Sequence, residues 1–348
     1  MAVTTRSFGK TSDGTQVNLY SIKNENGFTA EVTNFGAILV NLFMPDKQGN
    51  MVDVVLGHDN IEKYLINIGY FGATVGPSAN RIDNACFVID GVSYQLVAND
   101  TTNNLHSDAN AGYHKRVWDV EQKEDSVVFS LEDPDGSMGF PGNKKVYVTY
   151  TVTQDNALKI EYYATSDKKT VINMTNHSYF NLAGHDSGSI EGHRIQIHAS
   201  RYTPVFARLI PTGELAPVEG TPFDFTQMRT IGEDIDADNE QLSYGQGYDH
   251  NYVLDNYDGT IKKVASLEDP VSGRKMDVYT DQPGIQFYSG NGIKTQIGKR
   301  GASYSARSGL CLETQCFPDA VNQPQFQDVV YGPERPYKTT TIYQFYNE

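Results

Sequence analysis

Two neighbouring runs, Val146, Val148, Tyr150, Val152 and then Leu158, Ile160, Tyr162, Ala164, place an apolar or aromatic residue at every second position. Successive side chains of an extended chain point to opposite sides, so a period of two marks a strand with one face in a core and the other in water. Gln154-Asp155-Asn156 lies between the runs and reads as a turn. Cys86-Phe87-Val88-Ile89 and Val92-Ser93-Tyr94-Gln95-Leu96 flank Asp90-Gly91, a dipeptide that accepts the positive φ angles of a tight hairpin. Similar runs at 27–40, 53–56, 126–131, 171–174 and 195–197 are each closed by Gly, Pro, Asn or Asp clusters. Helical periodicity is confined to short pieces such as Ile61-Glu62-Lys63-Tyr64-Leu65 behind Asn60 as a cap, and nothing is long enough to cover a parallel sheet. An all-β, mostly antiparallel fold is expected. With no linker-like tract or short-period repeat, residues 1–348 read as one domain.

Charge and cysteine usage narrow the function classes. The balance of 28 Lys+Arg against 43 Asp+Glu gives a formal charge of −15, which repels phosphate backbones and anionic membrane surfaces. Nucleic acid is excluded as an expected partner. The three cysteines, Cys86, Cys311 and Cys316, are odd in number and lack CxxC spacing, so buried thiols in a reducing compartment are expected. The amino-terminal stretch Met1 to Lys10 lacks the apolar core of a secretory signal, and no run approaches membrane-spanning length. A cytoplasmic protein without membrane partners is the reading.

Several tempting motifs fail on inspection. Asp234-Ile235-Asp236-Ala237-Asp238 starts like a calcium loop, but its sixth position is Asn239 and its twelfth Gly245, where Gly and Glu are needed. The stretch Gly292 to Arg300 resembles a phosphate loop, yet its glycines are six apart and Arg300 replaces Ser/Thr; a surface turn is expected. His193 and His198 are five apart and face opposite sides of a regular strand, so His185, His193 and His198 read as exposed strand and loop histidines with no shared metal. Asp133-Pro134-Asp135-Gly136 has the composition of a turn.

Two segments carry chemistry. In Asn173 to Leu182, His177 ends an apolar strand; in Leu310 to Gln315, Glu313 lies inside one. A carboxylate in a strand core is costly unless it has a partner. An imidazole and a carboxylate brought together from separate strands form an acid/base pair, with Glu ionised at neutral pH and His near its ordinary pKa of about 6.5. Plainer readings stand beside this one: His177 as an N–H donor tying down a loop, Arg81 paired with Asp83 or Asp90, and Asp249 as a turn residue after Gly247.

The same residues carry a resemblance. Gly76-Pro77-Ser78-Ala79-Asn80-Arg81-Ile82, Asn103-Asn104-Leu105-His106, the His177 segment, Tyr202-Thr203-Pro204, Ile210-Pro211-Thr212-Gly213-Glu214, Thr221-Pro222-Phe223-Asp224-Phe225, Gly247-Tyr248-Asp249-His250-Asn251, Gln282 to Asn291 and Leu312-Glu313-Thr314-Gln315 follow one another in the order found in aldose 1-epimerases, also called galactose mutarotases. The chain resembles that family nearly end to end. The resemblance implies a large antiparallel β-sandwich, the galactose mutarotase-like supersandwich, with an open sugar cleft. It implies anomer interconversion of galactose, glucose or a related aldose through the ring-opened aldehyde, in a monomer or homodimer, with no metal or other cofactor. It assigns Glu313 as base and His177 as acid, and Asn80, Arg81, His106, Tyr179, Asp249 and Gln286 as substrate ligands. Two departures are visible: Pro77 stands where the family often has Arg, which removes a possible cation near the sugar, and Ser107 where it often has Gly, which removes backbone freedom beside His106. A sugar-binding protein without catalysis, or a phosphosugar epimerase with a basic cleft, are the rival classes.

Overall fold

A computed structural model describes residues 2–46 and 48–347 of the chain. The two alternating runs form the strands Lys144–Val152 and Ala157–Ser166, paired antiparallel. Val146 stands opposite Ala164, Val148 opposite Tyr162, Tyr150 opposite Ile160 and Val152 opposite Leu158, so the two apolar faces read from sequence meet residue for residue. These strands lie inside a nine-stranded sheet. The strand Tyr337–Asn347 pairs with Ala157–Ser166 on one side and Arg274–Thr280 on the other.

Two five-stranded sheets and several two-stranded ones accompany the nine-stranded sheet. The first is a consecutive antiparallel meander of Ala2–Lys10, Gln16–Lys23, Thr29–Thr33, Ile38–Pro45 and Met51–Asp53. The second runs in the order Ala216–Pro217, Arg201–Tyr202, Asp249–Val253, Gly284–Tyr288, Cys311–Gln315. Ile22 and Val32 of the meander, Val148, Ile160 and Tyr343 of the large sheet, and Ile285, Phe287 and Leu312 of the second five-stranded sheet join one apolar core. Burial of that apolar area between sheet faces is the main favourable term for such a layered arrangement.

The hairpin around Asp90-Gly91 forms as expected, with φ of 50° and 80° at the two turn residues. The short helix Ile61–Ile66 is capped by the Asn60 side chain, which accepts from the Lys63 amide. Other expectations need correction. The run 27–40 is two strands, because Gly36 (φ 69°) turns the chain against the His114 carbonyl, where a Cβ would come within 2.4 Å. The run 171–174 also divides: Thr170–Val171 pairs with Val330–Tyr331, and the chain then crosses to pair Thr175–His177 with Ala73–Val75.

Four local readings change as well. His185 and His193 are buried rather than exposed; His193 Nε2 accepts from the Leu182 amide, and His185 Nδ1 lies 3.0 Å from the Tyr304 hydroxyl. The stretch Gly292 to Arg300 is not wholly a surface turn. Its Lys299 is buried, and the ammonium reaches Asp53 at 2.6 Å and the Val40 and Asn41 oxygens at 2.9 Å. Such a pair replaces lost hydration on both charges and pins this loop to the first sheet. Asp133, read as part of a turn, is a buried acceptor for Arg116, Lys144 and Tyr113.

Candidate active site

The second five-stranded sheet builds one wall of the site through its period of two. Asn251, Gln286 and Glu313 stand opposite one another across three strands, and so do Asp249, Tyr288 and Cys311. Residues two apart share a face, so these two rows lie on one side of the sheet. Leu312, Phe287, Ile285 and Tyr252, on the other side, pack into the apolar core. The outer rows are largely shielded from bulk water, with Asp249 and Tyr288 partly exposed. Every residue of Cys311–Gln315 is buried, and Asp249, Tyr288 and Glu313 line a cleft of about 390 Å³, large enough for a small polar ligand.

His177 enters from the strand Thr175–His177, held in register by Ala73–Val75. Its Nε2 lies 3.7 Å from Glu313 Oε1, so the expected pair is brought together but not hydrogen-bonded to itself. Glu313 Oε2 is buried with no hydrogen-bond partner. Their charge states differ from the sequence expectation. Burial pushes His177 down to about 4, because the imidazolium is poorly solvated there. Glu313 is pushed well above the ordinary carboxylate range, first by burial and then by the negative charge of Asp249, against an opposing pull from Arg81. Burial therefore shifts the pair away from the ion pair, in the direction of a protonated Glu313 beside a neutral His177.

Asn80 and His106 form a reciprocal backbone lock. The Asn80 amide donates to His106 Nδ1 at 3.1 Å, and the His106 amide donates to the Asn80 carbonyl at 3.0 Å. Because Nδ1 accepts, the ring proton belongs on Nε2, which makes His106 a donor at the cleft. Asn80, His106 and Ser107 have φ of 58°, 54° and 69°, a left-handed region that is uncommon for residues with a side chain. Ser107 holds that conformation through its hydroxyl, which accepts from the Ser78 amide at 2.8 Å and donates to the Ser78 carbonyl at 2.9 Å. The glycine departure is thus offset by two hydrogen bonds. Pro77 is not among the residues that line the cleft.

Arg81 pairs neither with Asp83 nor with Asp90. Its Nε donates to Asp100 at 2.7 Å, and its Nη1 lies 4.0 Å from Asp249. Asp83 faces Arg208 instead, and Asp90 faces Lys169. Asp249 opens a strand rather than a turn, and its carboxylate accepts from the Gln286 amide at 2.7 Å. Burial raises Asp249, with Arg81 and Gln286 pulling the other way. Gln286 itself stands behind Asp249 and does not line the cleft, whereas Asn80, Arg81, His106, Tyr179 and Asp249 do.

Several lining residues escape a reading from sequence. Tyr70 packs on His106 and His114 at 4.8 Å between ring centroids and on His177 at 5.8 Å. It sits in a loop tied by Asn67, whose side chain accepts from the Phe71 amide and donates to the Phe71 carbonyl. The only sequence signal is the Asn67-Ile68-Gly69-Tyr70 turn composition after a short helix. Lys63 and Lys294, both exposed, also reach the lining, so the cleft is more basic than its motifs imply.

His106, His177 and Glu313 offer ligand atoms that all lie within 4.8 Å of one another. The set does not suit a metal. Metal-bound histidines donate their second ring N–H, but the second nitrogen of His106 is an acceptor for the Asn80 amide. Binding through Nε2 would move the proton to Nδ1 and set two N–H groups against each other.

A buried imidazole and carboxyl facing a small cleft, ringed by side-chain donors and acceptors, define an acid/base site for a polar ligand held by hydrogen bonds. The family described as Aldose 1-epimerase matches residues 18–344. Galactose mutarotase of Homo sapiens is 43% identical over 318 residues, covering 90% of each chain. Aldose 1-epimerase of Escherichia coli is 35% identical, covering 97% of each. A solved aldose epimerase homologue from C. elegans superposes with a TM-score of 0.88 at 32% identity, covering 95% of this chain and 99% of that one. The chain belongs to the aldose 1-epimerase family.

Proposed function

We propose that the chain is an aldose 1-epimerase that interconverts the α- and β-anomers of galactose, glucose or a related aldose. The observation that carries this reading is the 3.7 Å approach of His177 Nε2 to Glu313 Oε1 in the cleft, with Glu313 Oε2 left unpartnered. A buried acceptor without a partner is expensive, and a sugar hydroxyl supplies the missing donor.

In the reactive state Glu313 is the carboxylate and His177 the imidazolium. Glu313 takes the proton of the C1 hydroxyl as the bond from C1 to the ring oxygen breaks, and the C1 carbonyl forms. His177 gives its Nε2 proton to the ring oxygen. The C1–C2 bond rotates, and the C5 hydroxyl oxygen attacks the other face of the aldehyde: His177 takes that hydroxyl's proton back while Glu313 gives its proton to the carbonyl oxygen, which becomes the new C1 hydroxyl. During the open-chain stage Glu313 is protonated and His177 neutral, the pair of states that burial favours. Burial thus acts on the intermediate rather than on the ion pair. Asn80, Arg81, His106, Tyr179 and Asp249 hold the remaining hydroxyls while C1 stays free, and Gln286 contributes by fixing Asp249.

We also read the chain as one unit, since its last strand occupies an interior position of the nine-stranded sheet. Among the described residues no helix is long and apolar enough to cross a membrane. The three unpaired cysteines suit a reducing, cytoplasmic setting. Polarimetry on freshly dissolved α-galactose tests the function: catalysed mutarotation by the purified chain supports it, and decay at the uncatalysed rate makes the protein a binder. A competition with galactose 6-phosphate addresses Lys63 and Lys294; a strong preference for the phosphosugar would replace the neutral aldose as substrate.

A further inference from the structure

We propose that the Cys311 thiol is a positioning group for His177, holding the imidazole so that Nε2 keeps facing Glu313 and the sugar. Cys311 and Glu313 are two apart on the strand Cys311–Gln315 and so share a face. One strand therefore addresses both ring nitrogens: Cys311 Sγ lies 3.5 Å from Nδ1, and Glu313 Oε1 lies 3.7 Å from Nε2. The ring is packed edge and face by His106, Tyr70, Tyr179 and Tyr288, none of which makes a hydrogen bond to Nδ1.

The proton cycle explains why an uncharged sulfur suits that place. Nε2 must give up and regain a proton, so Nδ1 must keep its own throughout and needs an acceptor that does not compete. Burial keeps the Cys311 thiol protonated and neutral. A neutral sulfur is a weak acceptor that steers the ring without anchoring positive charge on it. A carboxylate at the same position, as in a Ser-His-Asp triad, would stabilise the imidazolium and weaken it as an acid. The plain alternative is a small apolar filler, because Cys311 also belongs to the cluster of Leu56, Phe71 and Tyr179.

This inference rests on His177 as the acid. The experiment compares kcat, KM and Tm for Cys311→Ala, Cys311→Ser and His177→Asn by polarimetry on galactose. The expected result is kcat lowered about 10-fold in Cys311→Ala with KM within about 2-fold of the unmodified protein, the scale of a misaligned catalytic group. Cys311→Ser, whose hydroxyl accepts from Nδ1–H, should recover to within about 3-fold. A Cys311→Ala kcat within about 2-fold of the original, a loss confined to KM, or a serine variant as poor as the alanine one would overturn the proposal. Should the variants fail to fold, ¹⁵N spectra of the imidazole in the unmodified protein decide: Nδ1 protonated at neutral pH supports it, and a proton on Nε2 alone contradicts it. A His177→Asn protein with full kcat removes the underlying reading too, whereas loss in His177→Asn with none in Cys311→Ala removes only the role of the thiol.

Discussion

The strands Lys144–Val152 and Cys311–Gln315 both alternate in sidedness, yet only one of them looks like it. In Lys144–Val152 the inward residues are buried and most outward ones partly exposed, so from Val146 on the inward positions are apolar or aromatic and the outward ones meet water. In Cys311–Gln315 all five residues are buried. Leu312 and Thr314 face the interior, and Cys311, Glu313 and Gln315 face the site side. The difference lies in what the second face meets. Where it meets water, solvation selects polar residues and stability is set by the apolar face. Where it meets a cleft, each polar group stays dehydrated and its proton affinity becomes a design variable.

That contrast can be broken by placing substitutions on either strand system. The largest effect belongs to the pair itself: Glu313→Gln and His177→Asn should each lower kcat by about 100-fold or more. Glu313→Gln should also raise Tm above neutral pH. The folded-state pKa of Glu313 is raised, so the stability it contributes at low pH is lost as pH rises through that value, and a neutral amide escapes the loss. Equal kcat, or a lower Tm at pH 8, would place Glu313 in a structural role.

Ile160→Ala, on the apolar face of the large sheet, should do the reverse. It is fully buried, and its truncation should cost about 2–5 kcal/mol in denaturant unfolding while kcat/KM stays unchanged. A large kinetic loss would couple the two regions more tightly than the contrast allows.

Asp249→Asn sharpens the electrostatic part. Removing its charge lets Glu313 release its proton at lower pH, so the basic limb of the kcat/KM profile should move to lower pH, and KM should rise about 10-fold if the carboxylate holds a sugar hydroxyl. The smallest effect concerns Ser107→Gly, which trades two hydrogen bonds to Ser78 for easier left-handed backbone; thermal melts should shift by no more than about 1 kcal/mol, with either sign small.

The same contrast explains what sequence could tell. The hairpins, the short capped helix and the antiparallel pattern were legible because turn chemistry and water-facing polarity leave local marks, as at Asp90-Gly91 and Asn60. His177 and Glu313 were legible because polar groups inside apolar strands are out of place there. Their protonation is not, since it depends on burial by Tyr70 and Tyr288, which arrive from distant segments, together with the neighbouring Tyr179. Tyr70 and Cys311 escaped for a related reason: an aromatic in a loop and a thiol in a strand look like ordinary packing until the imidazole between them is seen. The buried ammonium of Lys299 was misjudged because its partner, Asp53, comes from the first sheet.

His177 and Glu313 share a single proton that burial shifts toward the carboxyl. The pH dependence of kcat/KM for galactose measures it most directly. Activity should fall on the acid side only near the lowered His177 value of about 4, where a second proton joins the pair, and on the basic side above the raised Glu313 value, where the last proton leaves. A profile flat through both regions, or one governed by a single step near the ordinary histidine value of about 6.5, would contradict the shared proton.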